Sequence, residues 1–236
     1  MYHMEKLYEK GVPLRAENVC DPYTNWAFAN KLENYKIYNL ASLIGGERKL
    51  QRGVDVPDYC FDFIAEQEEC LGIANVVNGK VDYIIMKSLK EKKFLTCGDK
   101  RSVPYGIGTF KNFQFGDWLV IVEGLKDRDT LSVVYPNVIA TQTAGMGSLL
   151  KEIVLSLTNR FILMYDNASL DEAGKKAFYR DRKFLESNNC QVVWGNHPDG
   201  VKDTGEIADA LYKSDWYQSE YLKSYYSMQI RSIIGG

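Results

Sequence analysis

FILMYDNASLDEAGKKAF, Phe161 to Phe178, is the stretch on which the reading of the fold turns. Apolar and aromatic residues from Phe161 to Tyr165 run into Asp166, a polar loop carries a second aspartate at Asp171, and Glu172-Ala173-Gly174 opens a lysine-rich segment with helical spacing. A short apolar run bounded by polar residues has the length of a buried strand, so the stretch predicts a strand, a loop bearing two carboxylates, and a helix.

The same grammar repeats on either side. WLVIV (Trp118 to Val122), NVIAT (Asn137 to Thr141) and CQVVWG (Cys190 to Gly195) are further runs of strand length. Between them, GSLLKEIVLSLTNR places Leu149, Leu150, Ile153, Val154 and Leu157 on one helix face, and Glu172 to Ser187 does so with Ala173, Ala177, Phe178, Phe184 and Leu185. Strands that are apolar throughout and alternate with helices imply right-handed crossovers and a parallel sheet covered on both faces. The expected fold is therefore an α/β domain with a parallel four-stranded sheet and flanking helices over residues 116–213. Ahead of it, residues 1–115 read as an α+β subdomain with a basic stretch at 86–111, and residues 214–236 as a helical tail. In the first part, Asn78-Gly79 between two β-rich runs predicts a hairpin, and TNWAFANKLENYKIYNLASLIGG predicts helix up to Gly45-Gly46.

Parallel sheets bind ligands beyond the carboxyl ends of their strands. Glu123-Gly124 follows the first strand and Asp166 the third, while Asp171 and Asp203 lie in loops expected at the same edge. A single aspartate there is ordinary helix-cap chemistry. Several carboxylates with no nitrogen or sulfur among them suit Mg²⁺ or Mn²⁺, and such centres run phosphoryl and nucleotidyl transfer. Gly124 and Gly174 fit close approach of backbone to a ligand, and Asp127 either supports the site or caps the following helix.

Composition narrows the alternatives. A formal net charge of −2 gives no global field toward nucleic acid, so such binding would need a local patch. Cys20, Cys60, Cys70, Cys97 and Cys190 contain no C-x-x-C pair and the histidines are His3 and His197, which argues against a zinc finger and gives no disulfide framework. His197, before Pro198, reads as a turn residue. With no apolar stretch of membrane-span length, the expectation is a reduced, cytoplasmic protein.

The acidic motifs resemble the Toprim domain shared by DNA primases, type IA and type II topoisomerases and certain nucleases. The resemblance lies in Glu123-Gly124 and in Asp166 with Asp171-Glu172-Ala173-Gly174. VEGLKD (Val122 to Asp127), VIATQTAG (Val138 to Gly145) and HPDGVKD (His197 to Asp203) bring it nearest to the catalytic core of bacterial and phage primases, and MKSLKEKKFLTCGDKRSVPYGIGTF (Met86 to Phe110) is similar to the basic subdomain of such cores. The resemblance implies Mg²⁺ or Mn²⁺ on Asp166, Asp171 and Asp203, with Glu123 as ligand or general base. It also implies Lys87, Lys93 and Arg101, joined by Lys100 and Lys111, on a nucleotide triphosphate or template. Its expected partners are single-stranded DNA, ribonucleotide triphosphates, and a replicative helicase or separate zinc-domain protein, with no membrane. One departure stands out: the family's two aspartates are one residue apart, whereas Asp166 and Asp171 are separated as though Ala168-Ser169-Leu170 had been inserted. The rival readings are a Toprim nuclease and a non-catalytic nucleic-acid-binding replication protein with a degenerate metal site.

Overall fold

The computed structural model describes residues 4–45, 49–98, 103–167 and 169–235. The chain forms two compact units, Met1–Ser102 and Val103–Gly236.

The first unit runs α1 (Met4–Lys10), β1 (Val12–Pro13), α2 (Pro22–Ala29), β2 (Tyr35–Asn39), α3 (Leu40–Ile44), α4 (Asp58–Gln67), β3 (Glu69–Val77), β4 (Lys80–Ser88) and β5 (Phe94–Cys97). The strands form one antiparallel sheet in sequence order. The hairpin between β3 and β4 turns on Asn78 and Gly79, whose φ angles of 51° and 75° are both positive, as a two-residue turn matched to strand twist requires. Leu7, Phe63 and Ile64 from the helices and Tyr38, Ala74, Ile84 and Met86 from the strands share one core.

Two expectations for this unit are corrected. The segment expected to be helical up to Gly45 is broken by β2, because Tyr35, Ile37 and Tyr38 bury their side chains when the strand pairs with β3. Strand pairing here overrides local helical propensity. The cysteines are not all free either: Cys60 on α4 and Cys97 on β5 form a disulfide across a separation of 37 residues. They meet because α4 packs over the sheet, a tertiary event that no local cysteine spacing announces.

The second unit contains β6 (Trp118–Val122), α5 (Leu125–Leu131), β7 (Val138–Ala140), α6 (Ser148–Leu157), β8 (Arg160–Leu163), α7 (Glu172–Ser187), β9 (Gln191–Trp194), α8 (Glu206–Tyr212) and α9 (Trp216–Gly235). Its sheet is parallel throughout, in the order β7-β6-β8-β9. Every residue of β6 is buried, which explains the uninterrupted apolar run WLVIV. Leu119, Ile121, Phe161 and Leu163 pack with Val154 of α6 and Phe178 and Leu185 of α7, and the Phe178 ring lies 3.9 Å from that of Trp194. The chain passes from β6 to β7 on one side and then crosses to β8 on the other. The loops after β6 and β8 therefore part at a topological switch point, where such sheets open a crevice.

Residues 103–115 pack on this unit through Tyr105, which makes an antiparallel bridge to Ala140, the last residue of β7, and donates its hydroxyl to Asp129 at 2.8 Å. Among the described residues no helix is long and apolar enough to cross a membrane.

Candidate active site

The switch point holds the acids. Glu123 leaves the carboxyl end of β6, and its carbonyl accepts from Gln142 N at 2.8 Å, so the ends of β6 and β7 stay joined. Its carboxylate Oε1 accepts from Asp166 N at 3.4 Å. Burial, then the nearby charge of Asp166 and more weakly that of Asp171, push the Glu123 carboxyl up to about 7. Gly174, in the first turn of α7, faces this contact: a Cβ there would lie 3.0 Å from both Glu123 Oε1 and the Asp166 carbonyl. A side chain at Gly174 would therefore press on both acids.

Asp127 is buried in the first turn of α5. Its Oδ2 accepts from Gly124 N and its Oδ1 from Gly205 N, each at 2.9 Å, tying the start of α5 to the start of α8. A Cβ on Gly124 would fall 2.4 Å from that Oδ2, so the contact demands glycine. Burial, reinforced by Asp203 and Asp166, holds the Asp127 carboxyl well above the usual carboxylate range. Asp203 faces this pair and hydrogen-bonds the Asp127 carboxyl through its side chain, while no fixed donor reaches its buried Oδ1. An orphaned carboxylate oxygen in a buried position is costly unless a proton or cation completes it.

Asp166 follows β8, and its Oδ2 pairs with and accepts from Lys202 Nζ at 2.8 Å. The loop to α7 is built by Asn167. The Asn167 carbonyl accepts from Leu170 N and Asp171 N at 2.8 Å, and its Oδ1 accepts from Ser169 N and Oγ. Asp171 then caps α7, accepting from Ala173 N at 3.1 Å and Gly174 N at 3.3 Å. The wide spacing of the two aspartates is thus a turn that delivers the second one to a helix N-terminus, where carboxylates are favoured. Ala168, the first residue of the apparent insertion, lies outside the described residues.

The structure thereby gathers Glu123, Gly124, Asp127, Asp166, Asp171, Gly174 and Asp203 at one edge of one sheet. Oxygen-only donors, an unpartnered Asp203 oxygen and a Glu123 carboxyl crowded by Asp166 fit a hard divalent cation. Such an ion takes one or two carboxylates and completes its shell with water and substrate phosphate. Among the described residues no group of three or more His, Cys, Asp or Glu is close enough to hold a metal ion unaided.

The basic residues have different surroundings. Lys87 is buried, and its ammonium is committed to the Asp21 carboxylate and to the Ser88 carbonyl, above the Tyr23 ring. Lys93 pairs with Glu66 at 2.5 Å and Lys90 with Glu68 at 2.8 Å. Lys111 is exposed in the second unit, and Lys100 and Arg101 lie outside the described residues.

Two residues take part here in ways their sequence context did not indicate. Lys202 was legible only as a cation embedded in the acidic loop HPDGVKD. His197, expected in a turn, is largely buried: its Nε2 donates to the Tyr165 carbonyl at 2.8 Å and its Nδ1 accepts from the Tyr226 hydroxyl of α9 at 2.9 Å. Burial holds the imidazole below its ordinary pKa. The backbone just before Asp166 is thus braced by the last helix.

The fold has counterparts among solved structures. The zinc-binding and RNA polymerase domains of the Aquifex aeolicus primase align at a TM-score of 0.51 and 21% identity over 66% of this chain, which spans 40% of theirs. A DnaG primase catalytic domain bound to single-stranded DNA aligns at 0.60 and 16% identity, over 94% of this chain and 79% of that one. The RNA polymerase domain of Mycobacterium tuberculosis DnaG aligns at 0.59 and 15% identity, over 97% and 84%. The chain has the fold of a DnaG-type primase catalytic core. A parallel four-stranded sheet flanked by helices and an antiparallel sheet earlier in the chain are the features the fold shares with those cores. No protein-family model and no curated protein matches the sequence.

Proposed function

We propose that the chain is a primase-type nucleotidyltransferase that joins ribonucleotides into short primers on single-stranded DNA. The observation that carries this reading is the convergence of Glu123, Asp166 and Asp203 at the switch point of a parallel sheet in a primase-core fold. Asp166 with one further carboxylate, Asp203 or Asp171, would hold Mg²⁺ or Mn²⁺, its shell completed by water and substrate phosphate, and the ion when bound would neutralise charge on phosphoryl oxygens. The chain's own groups supply the rest. As a 3′-hydroxyl attacks the α-phosphorus and pyrophosphate leaves, the Glu123 carboxylate, with its pKa near 7, takes the hydroxyl proton at neutral pH. Asp127, held by two backbone amides, fixes the start of α5 and with it Glu123-Gly124.

Phosphates of template and triphosphate fall to Lys93, Lys100, Arg101, Lys111 and, once released from Asp21, Lys87, because such contacts dominate nucleic-acid affinity. Single-stranded DNA as template is supported by the compared catalytic domain bound to it. A replicative helicase or a separate zinc-domain protein would supply the functions this reading leaves unfilled.

One pair of observations favours a non-catalytic nucleic-acid-binding protein instead: Asp171 is engaged as a helix cap and Asp166 is paired with Lys202. Incorporation of labelled ribonucleotides on single-stranded DNA with Mg²⁺ or Mn²⁺, scored alongside cleavage of the same template, separates the readings. Metal-dependent products lost in Glu123→Gln and Asp166→Asn support the primase. Cleavage without synthesis identifies a nuclease, and DNA binding with neither activity identifies the non-catalytic protein.

A further inference from the structure

We infer that Lys202 is a tethered counter-ion that stands in for the divalent cation at Asp166 and must leave that carboxylate when the ion binds. The inference rests on the metal-dependent reading above.

The tether is built from backbone. Asn167 N donates to the Lys202 carbonyl at 2.7 Å and Asn167 Nδ2 to the Val201 carbonyl at 2.8 Å, so the loop after β8 and the loop before α8 are stapled one residue beyond Asp166. On the other side, Lys202 N donates to Glu206 Oε1 at 2.5 Å. These bonds fix the root of the lysine beside Asp166, leaving its side chain to choose a partner.

It chooses the densest negative charge. Asp166, Asp203 and Asp171 all act on its ammonium, with Asp166 Oδ2 at 2.8 Å and Asp203 Oδ2 at 4.0 Å. The neighbouring Lys126 is held by both carboxylate oxygens of Asp209. The pair is unequal in exposure: the Asp166 side chain is 13% exposed and that of Lys202 is 52% exposed. The acid is fixed, whereas the ammonium can withdraw into water, where a compact, strongly hydrated charge is well solvated.

An ammonium and a divalent ion cannot share Asp166 Oδ2, since like charges at contact distance repel strongly in a partly desolvated site. Lys202 therefore lowers the affinity of the free protein for metal while preventing Asp166 from standing uncompensated. A substrate phosphate that offers the displaced ammonium a new anion would strengthen metal binding in turn.

The test is direct Mn²⁺ binding, read as loss of the free-ion electron paramagnetic resonance signal, without nucleotide or DNA. Wild type is compared with Lys202→Met, Lys202→Gln, Lys202→Arg and Asp166→Asn, each checked for fold by circular dichroism. Lys202→Met and Lys202→Gln are expected to bind Mn²⁺ about three- to tenfold more tightly, while Lys202→Arg stays within about twofold of wild type. If Asp166→Asn loses Mn²⁺ but the neutral variants match wild type or bind more weakly, the metal centre stands and the counter-ion inference is overturned. If no variant binds Mn²⁺ in the millimolar range, both fall together.

Discussion

The two units treat charge in opposite ways. In the first, cations of the stretch that looked basic in sequence meet acids from distant positions: Lys87 meets Asp21, Lys90 meets Glu68 and Lys93 meets Glu66. In the second, Glu123, Asp127, Asp166, Asp171 and Asp203 crowd one edge, and burial together with the charge of Asp166 pushes Glu123 up to about 7. Charge density along a chain is thus a poor guide to charge density in space when antiparallel packing interleaves distant segments. It is a better guide when a parallel sheet sends every strand end to the same edge.

The sharpest way to break that contrast is to neutralise the crowded acids. Glu123→Gln and Asp166→Asn are each expected to lower ribonucleotide incorporation by about 10²-fold or more, measured as initial rate at saturating Mn²⁺. Retention of the rate in both would remove the second unit's claim to chemistry. Next in size is the apolar support behind the acids: Phe178→Ala, which empties the contact with Trp194, should cost about 3–5 kcal/mol in denaturant unfolding.

A third measurement uses pH. Because the folded Glu123 carboxyl is raised from 4.5 to about 7, its contribution to stability is fully present below pH 4.5 and is lost as pH rises through 7. The metal-free melting temperature should fall across that window, and Glu123→Gln should flatten the fall. The same slope in both proteins would assign the effect to other groups.

Smaller effects test the cap and the paired cations. Asp171→Ala should cost about 1 kcal/mol if the residue serves only to cap α7. A loss of Mn²⁺ affinity on top of that cost would show that it also reaches the ion. Lys93→Ala, which removes an exposed ion pair, should change stability by less than about 1 kcal/mol, and the slope of DNA affinity against salt would show whether the lysine exchanges Glu66 for phosphate.

Much of the second unit was legible because its rules are local and topological. WLVIV, FILMY and the helix Glu172–Ser187 announce themselves by length and period, and strand direction then dictates where Glu123 and Asp166 must go. Asn78-Gly79 was legible for the same reason, since a two-residue hairpin needs positive φ at both positions. What stayed hidden depended on partners far away in sequence: the strand Tyr35–Asn39 exists through β3, the Cys60–Cys97 bond through the packing of α4, and the burial of Lys87 through Asp21. Lys202 was hidden differently. Its position beside acids was visible, but the staple through Asn167 that aims it at Asp166 was not.

The brace from Tyr226 through His197 to the Tyr165 carbonyl has a consequence for synthesis on the ribosome. The first unit is complete in sequence by Ser102, so it can begin to fold while the second is still being made. The loop bearing Asp166 gains its backing only after residue 226 has emerged, more than a hundred residues later. A nascent chain therefore completes its four-stranded sheet at Trp194 before the backbone ahead of Asp166 is braced, whereas Asp127 and Asp171 are held by amides of Gly124, Gly205, Ala173 and Gly174 made earlier.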